Sequence, residues 1–340
     1  MSLKVDTRPL IPPKETPKNS FDGLVSVIIP TFNCARTIGR SVASLQQQTY
    51  KNVEIIVVDD ASTDHTQRVV EAFDGVKYLR LETNSGAAVA RNEGAKLAQG
   101  ELYLFAEADG FYDNDYVEKN LWHMHLPGVV AAINLGRKVW TDRDTALTRL
   151  QNALLETQAR RVEEGKRGTG AWLFHKEPYW AVGGYDPACR IGQDMDLVRR
   201  LIEAGGKTTI GGHSTLHHKD PDTLRLYLRR AHRSGLFSGN YQAKWSDAGT
   251  KGYMIRYLVK FVLLALAPVY FVLAFAVHWL FNLPFLAALA FLLVEDRTTT
   301  ETWTMLLRRG DIRTFLMTPV LLYMRRLALG VGKIRSFFKK

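Results

Sequence analysis

Short apolar runs alternate with longer amphipathic segments over the first third of the chain. The runs are rich in β-branched side chains and occur at LVSVIIP (24–30), VEIIVVDD (53–60), VKYLRL (76–81) and ELYLFA (101–106). Such short, nearly continuous runs are typical of strands that are covered on both faces. The intervening segments 35–48, 64–73 and 87–99 have helical spacing. This alternation predicts an α/β fold: a mostly parallel sheet with flanking helices, joined by right-handed crossovers.

Polar residues follow three of these runs, each at the point where the predicted strand ends. The three strand ends are Pro30-Thr31-Phe32-Asn33, Asp59-Asp60 and Glu107-Ala108-Asp109. The carboxyl ends of parallel strands meet at one edge of a sheet, and ligands bind beyond that edge. The pattern therefore predicts a binding site there. The competing interpretation is that the Asp and Asn side chains only cap the helices that follow.

Two carboxylates stand two residues apart in LYLFAEADG (102–110). Side chains at this spacing in an extended segment point the same way, so Glu107 and Asp109 would repel each other unless a cation lies near them. Mg²⁺ and Mn²⁺ take oxygen ligands and often hold substrate phosphates as well. The pair predicts a site for a divalent metal and a diphosphate.

The pattern continues from 128 to 250 with a predicted strand at 129–136 and predicted helices at 145–165 and 222–235. The last helix is basic, with arginines every four residues at Arg225, Arg229 and Arg233. This arginine row is either a solvated face or a surface that neutralises a pyrophosphate.

Composition adds the cellular context. Of 340 residues, 46% are hydrophobic, which is enough for a substantial core, and the two cysteines, Cys34 and Cys189, cannot form a disulfide framework. A reducing, cytosol-facing compartment is the simplest interpretation. Net charge is +11, and residues 251–340 hold 13 basic against 4 acidic side chains among long apolar runs. This distribution favours a membrane surface as partner and argues against nucleic acid.

The last third of the chain is predicted to associate with membrane lipid. Residues 261–294 contain no Lys, Arg, Asp or Glu, and Pro268, Asn282 and Pro284 interrupt them. A hairpin in the bilayer, a re-entrant or interfacial pair, and a buried hydrophobic subdomain all fit this pattern. Residues 312–340 alternate between apolar and basic, as helices in the headgroup layer do.

Three segments resemble family 2 glycosyltransferases of the GT-A fold. They are VSVIIPTFNCARTIGRSVASLQQQTYKNVEIIVVDDASTDHT with NSGAAVARNEGAKLAQGELYLFAEADG, and VGGYDPACRIGQDMDLVRRLIEAGG. The resemblance covers roughly residues 24–235. It implies a nucleotide-sugar-binding half at 23–127 and an acceptor-binding and catalytic half at 128–250. Composition predicts the other two regions: the Pro- and Lys-rich start is expected to be a flexible arm at 1–22, and the apolar, basic tail a membrane-associated helical region at 251–340.

The same resemblance implies roles for residues of the first half. Pro30, Thr31 and Asn33 would line the nucleotide, and Asp59 or Asp60 would bond its base. Arg91 would lie near the nucleotide or its phosphates. Glu107-Ala108-Asp109 occupies the family's Asp-x-Asp position, with Asp109 as metal ligand. Glutamate in the first place departs from the family pattern. Glu107 is assigned to the nucleotide, and its longer side chain leaves three alternatives open: contact with the ribose, contact with the metal, or neither.

In the second half, Asp194 occupies the position of the family's general base. The family commonly has Glu-Asp there, whereas this chain has Gln193-Asp194, and losing the neighbouring charge should lower the pKa of Asp194 relative to the usual pair. Asp196 is interpreted as a helix first-turn residue. In LHHKDP, His218 is favoured over His217 as a contact to metal or diphosphate, the alternative being a structural loop histidine.

Acceptor or diphosphate contacts are assigned to Trp172, Gln193, Arg229 and Arg233. Trp172 would stack on a sugar ring, although core packing explains a tryptophan equally well. No Gln-x-x-Arg-Trp stretch follows Asp194. Since processive synthases of the family carry that stretch, one sugar is expected per visit.

The resulting hypothesis is a metal-dependent, inverting glycosyltransferase at the cytosolic face of the cell membrane. Its donor would be a UDP- or GDP-linked sugar, its metal Mn²⁺ or Mg²⁺, and its acceptor a glycan or a lipid-linked glycan. Two alternatives stay open: a polyprenyl-phosphate sugar synthase, and a degenerate nucleotide-binding scaffold. A dinucleotide dehydrogenase is disfavoured because no Gly-x-Gly-x-x-Gly follows the first strand.

Overall fold

A computed structural model describes residues 21–134, 136–141, 143–163, 173–190, 192–211, 214–245, 261–262, 265–266 and 297–338. Two compact units are present. The first comprises the described residues up to Trp140 together with those of Gln158–Lys219, and the second comprises those of Thr141–Thr157 and from Asp220 onward. Most of the predicted arm, and most of the uncharged segment 261–294, lie outside the described residues.

The four predicted strands form one half of a seven-stranded sheet. They are β1 (Val25–Thr31), β2 (Val53–Asp59), β3 (Val76–Arg80) and β4 (Leu102–Phe105), and they are mutually parallel in the order β3-β2-β1-β4. β8 (Leu173–His175), β6 (Val129–Ile133) and β9 (Lys207–Ile210) complete the sheet, with β8 antiparallel to both neighbours. The predicted α/β fold with a mostly parallel sheet is confirmed.

Helices connect these strands, and the predicted helices 35–48, 64–73, 87–99 and 145–165 are present with shorter bounds. The connecting helices are α1 (Ile38–Gln46), α2 (Thr66–Val70), α3 (Ala87–Leu97), α4 (Tyr116–Leu121), α5 (Ala146–Glu163), α6 (Lys176–Ala181) and α7 (Gln193–Glu203). Predicted helix 35–48 begins three residues late because Thr37 and Ile38 donate their N–H groups to the Cys34 carbonyl in a turn. Gly94 lets α3 pack closely on the sheet, since a Cβ there would lie 2.5 Å from Cγ2 of Ile28.

A second, three-stranded sheet forms beside the carboxyl end of β4 and has no counterpart in the sequence prediction. It contains β5 (Gly110–Tyr112), β10 (Leu216–Lys219) and β7 (Arg137–Trp140), in that order. β10 is antiparallel to β5 and places His218 opposite Gly110. Strands only three or four residues long carry too few side chains to show a period.

The second unit is helical. Its long helices are α8 (Leu224–Trp245), α9 (Arg297–Arg308) and α10 (Ile312–Phe338). α8 and α10 touch backbone to backbone, because a Cβ on either Gly235 or Gly332 would lie 1.9 Å from a carbonyl oxygen of the other helix. Within the described residues, Ile312–Ser336 is one stretch long and apolar enough to cross a membrane, a property that core helices of soluble proteins share.

Candidate active site

Three of the predicted ligands meet where β4 and β5 face β10. Nε2 of His218 lies 3.0 Å from Oε2 of Glu107 and 3.1 Å from Oδ1 of Asp109. One ligand atom from each of the three side chains lies within 4.8 Å of the other two. His218 is buried, whereas the side chain of Asp109 is 46% exposed, so solvent reaches the cluster from the Asp109 side.

Local backbone geometry brings the cluster together. The Asp109 carbonyl accepts the N–H of Lys219 at 2.9 Å, which ties the segment after β4 to β10. Gly110 permits this close approach, since a Cβ there would lie 2.5 Å from Cδ1 of Leu216. The two strands therefore hold residues more than a hundred positions apart in one register.

The charge of Glu107 is strongly stabilised. Burial alone would raise the pKa of Glu107, but the neighbouring His218, Arg137 and Arg91 lower it to about 2. Nη1 of Arg137 lies 4.0 Å from Oε1 of Glu107. A carboxylate that stays ionised near a histidine and a second carboxylate suits the binding of a cation.

Helix α3 links this cluster to the predicted base. Nη1 of Arg91 donates a hydrogen bond to Oε1 of Gln193 at 2.6 Å, and its guanidinium lies 5.0 Å from the Tyr185 ring centroid. The hydroxyl of Tyr185 donates to Oδ1 of Asp194 at 2.9 Å. Burial opposes the charge of Arg91, but nearby acidic groups, Asp194 and Glu107 among them, raise its pKa.

Asp194 has a raised pKa. Burial is the main cause, and the negative charge of Glu107 adds to it, whereas Arg91 and the Tyr185 hydroxyl work in the opposite direction. A carboxylate with a raised pKa is a better proton acceptor than an ordinary aspartate.

The segment that carries Tyr185 is clamped by the residue next to Arg91. The Asn92 amide accepts the Tyr185 N–H at 2.9 Å and donates to the Tyr185 carbonyl at 2.8 Å. Gly184 has φ of 67°, and a Cβ there would lie 2.8 Å from Oδ1 of Asn92. One helix thus positions both the tyrosine that donates a hydrogen bond to the predicted base and the guanidinium that acts on it electrostatically.

The predicted nucleotide residues at β1 and β2 form a hydrogen-bonded loop system. Pro30 and Thr31 end β1, and Asn33, with φ of 53°, accepts hydrogen bonds from the N–H groups of Thr63 and Asp64.

The two neighbouring aspartates are both buried and have different partners. Asp59 accepts hydrogen bonds from the Ser62 N–H, the Tyr78 hydroxyl and Arg80. Asp60 accepts the N–H groups of Ser85 and Gly86, at the entrance to α3.

The alternative candidates His217 and Asp196 have partners outside the cluster. His217 faces away from the cluster and contacts Asp113 at 2.9 Å, while Asp196 lies in the first turn of α7 and pairs with Arg200 at 2.8 Å. Arg229 and Arg233 are exposed on α8 in the second unit. Trp172 lies outside the described residues.

Three residues at this site carry no role in the sequence prediction: Tyr185, Asn92 and Arg137. The first two stand inside the motifs VGGYD and ARNEG, where the resemblance draws attention to other positions. Arg137 lies on short strand β7, and no sequence signal marks it.

Comparison with known proteins supports the resemblance. Residues 26–183 match the family described as Glycosyl transferase family 2. A UDP-Glc:alpha-D-GlcNAc-diphosphoundecaprenol beta-1,3-glucosyltransferase, WfaP of Escherichia coli, is 37% identical over 108 residues, or 31% of this chain and 43% of its own length. A putative teichuronic acid biosynthesis glycosyltransferase, TuaG of Bacillus subtilis (strain 168), is 39% identical over 105 residues, or 30% of this chain and 42% of its own. The matches thus span less than half of these relatives.

Among solved structures, the fold is similar to that of the mannosyltransferase PcManGT from Pyrobaculum calidifontis. That protein was solved in complex with GDP-Man and Mn²⁺. The TM-score is 0.58 at 17% sequence identity, over 97% of this chain and 91% of that one. The likeness confirms a GT-A type of fold. Residues 26–183 of this chain therefore match glycosyltransferase family 2, and that match covers somewhat less than half of the chain.

Proposed function

We propose that the chain is a metal-dependent, inverting glycosyltransferase that moves one sugar from a nucleotide-sugar donor to a glycan or lipid-linked acceptor at the cytosolic face of the membrane. The observation that carries this proposal is the cluster of Glu107, Asp109 and His218 at the carboxyl edge of the sheet. Asp194 lies in the same unit, connected to the cluster through Arg91.

The donor set fits a divalent ion. Two carboxylate oxygens and one imidazole nitrogen lie close together, and such mixed sites suit Mn²⁺ and related ions. Asp109 and His218 would hold the ion. When bound, it would neutralise negative charge on the departing nucleoside diphosphate. A UDP- or GDP-linked donor is supported by the UDP-Glc in the name of the E. coli relative and by the GDP-Man in the P. calidifontis structure.

The protein's own residues supply the proton transfer. Asp194 would accept the proton of the acceptor hydroxyl as that oxygen bonds to the anomeric carbon on the face opposite the diphosphate. Tyr185 and Arg91 hold this carboxylate in place. With Asp194 as base and no protein nucleophile needed, a single displacement inverts the anomeric centre.

A membrane location is supported by the exposed face of α10. Ile312, Leu316 and Val320 are apolar, exposed and four residues apart, and Arg313 is exposed beside them. An apolar stripe flanked by arginine is the surface that anionic lipid headgroups attract.

The test is donor binding by thermal shift. UDP- and GDP-linked sugars are added to the full chain with and without Mn²⁺, since a ligand that binds the native state raises its melting temperature. We expect at least one donor to raise it in Mn²⁺, and EDTA or Asp109→Asn to remove the rise. Asp74→Asn, at an exposed position away from the cluster, is the matched control. If no donor raises the melting temperature, the proposal is wrong.

The two alternatives make different predictions. A scaffold binds the donor without slow, Mn²⁺-dependent donor hydrolysis, whereas an enzyme shows hydrolysis that Asp109→Ala abolishes. A polyprenyl-phosphate synthase attacks with an acceptor that is already ionised. In that case Asp194→Asn should lower kcat only modestly, compared with the roughly 10²- to 10⁴-fold loss expected for a true general base.

A further inference from the structure

An open groove of about 780 Å³ lies between α1 and the segment that begins with β5. One wall is a single face of α1, formed by Arg40, Ala43, Ser44 and Gln47 at helical spacing. The opposite wall is formed by residues 111–115. Its volume is within the range of small-molecule sites.

The groove is separate from the candidate active site. Successive residues of a strand point to opposite faces, so His218 faces the acidic cluster while its neighbour His217 faces the other way. The His217 ring stacks on Phe111 with 4.5 Å between centroids and 3° between planes. Phe111 in turn lines the groove.

Arg40 is exposed, and its guanidinium lies against two aromatic rings. Its guanidinium carbon lies 3.9 Å from the ring centroid of Phe111 and 4.5 Å from that of Trp140. Such contacts fix the long side chain without using its N–H donors. Among the described residues, none accepts a hydrogen bond from this guanidinium or forms an ion pair with it.

The two carboxylates of the groove already have partners. Asp113 contacts His217 at 2.9 Å and accepts the Thr215 N–H at 3.1 Å. Asp115 contacts Lys119 at 2.6 Å and also accepts the hydroxyl of Ser214. A neutral His217 leaves the charge of Asp113 in place, whereas Arg40 is the cation that lines the groove, so an acidic group of a ligand would pair with Arg40.

We propose that this groove binds a saccharide that carries an acidic group, with Arg40 as the anchor of that group. A guanidinium with a free fork pairs bidentately with a carboxylate or phosphate. The exposed amides of Gln47 and Asn114 lie on the same groove and suit sugar hydroxyls. The saccharide part of this inference rests on the proposed glycosyltransferase function, whose acceptor would be such a chain.

Isothermal titration calorimetry of the full chain tests the proposal. The probes are trigalacturonate, neutral maltotriose and inorganic phosphate, all in EDTA and without a sugar donor. A negative result in this titration therefore does not bear on the thermal-shift test of metal and donor binding. We expect trigalacturonate to bind at least tenfold more tightly than either of the others. Arg40→Gln should weaken it by about 10- to 100-fold, as for loss of a charge-assisted hydrogen bond.

Control variants separate recognition from folding. Arg68→Gln, an exposed arginine on α2 outside the groove, should bind as the wild type does. If Arg40→Gln lowers the melting temperature, Asn114→Ala replaces it, because that side chain is exposed and should weaken trigalacturonate binding severalfold without loss of packing.

Two results would overturn the proposal. One is unchanged trigalacturonate affinity in a folded Arg40→Gln variant. The other is phosphate binding as tight as that of trigalacturonate, with the same dependence on Arg40, which would make this an anion site without saccharide recognition.

Discussion

Replacing Asp59 with asparagine tests whether this residue is part of the framework or contacts the nucleotide. Its side chain has no exposed surface, and its two oxygens accept three hydrogen bonds. Oδ1 accepts the Ser62 N–H at 2.8 Å, and Oδ2 accepts the Tyr78 hydroxyl at 2.6 Å and Arg80 at 3.0 Å. Asparagine keeps the shape but turns one acceptor into a donor.

The size of the effect follows from these contacts. In one orientation of the amide that Asp59→Asn introduces, its NH₂ group faces the buried Ser62 N–H. In the other orientation, the NH₂ group faces the Arg80 guanidinium. Arg80 is 43% exposed, so water can replace much of that ion pair and we discount it. A buried donor left without an acceptor costs about 1–3 kcal/mol, and the remaining bonds lose their charge assistance. We expect a loss of about 2–3 kcal/mol in unfolding free energy.

Thermal unfolding followed by circular dichroism measures this loss. At roughly 2–4 °C per kcal/mol for a unit of this size, Asp59→Asn should lower the melting temperature by about 4–12 °C. Asp74→Asn makes the same chemical change at an exposed site and should stay within about 0.5 kcal/mol of wild type. Asp59→Asn with wild-type melting but no donor binding would refute the structural role and favour the base contact.

Three further predictions follow from the same structure. Asp194 acts as a base only when ionised, and its pKa is raised, so kcat/KM should fall as pH decreases through a value above the pKa of an ordinary aspartate. Tyr185→Phe removes a hydrogen bond to this carboxylate and should move the fall in kcat/KM to higher pH, which a pH-rate profile would measure. Gly94→Val should lower the melting temperature by overpacking against Ile28, at a cost of about 1–3 kcal/mol, and unchanged melting would contradict the packing described. Leu316→Asp should reduce co-sedimentation with vesicles containing anionic lipid, and equal binding by the variant would argue against this face of α10 as the docking surface.

The sequence by itself determined the frame of this protein. Continuous apolar runs separated by amphipathic segments predict β1 to β4 and the helices between them, because a buried parallel strand leaves a strong local signal. It also placed Glu107 and Asp109 at a strand end, since their spacing and position are properties of one short segment.

Tertiary structure alone decided how distant groups meet. His217 and His218 are adjacent in the chain, and the pairing of β10 with β5 turns His218 toward Glu107 and Asp109. Tyr185 acquires its place beside the predicted base through the clamp of Asn92, more than ninety residues earlier in the chain. Such contacts depend on strand register and helix packing, which join segments far apart and leave no local pattern in the sequence.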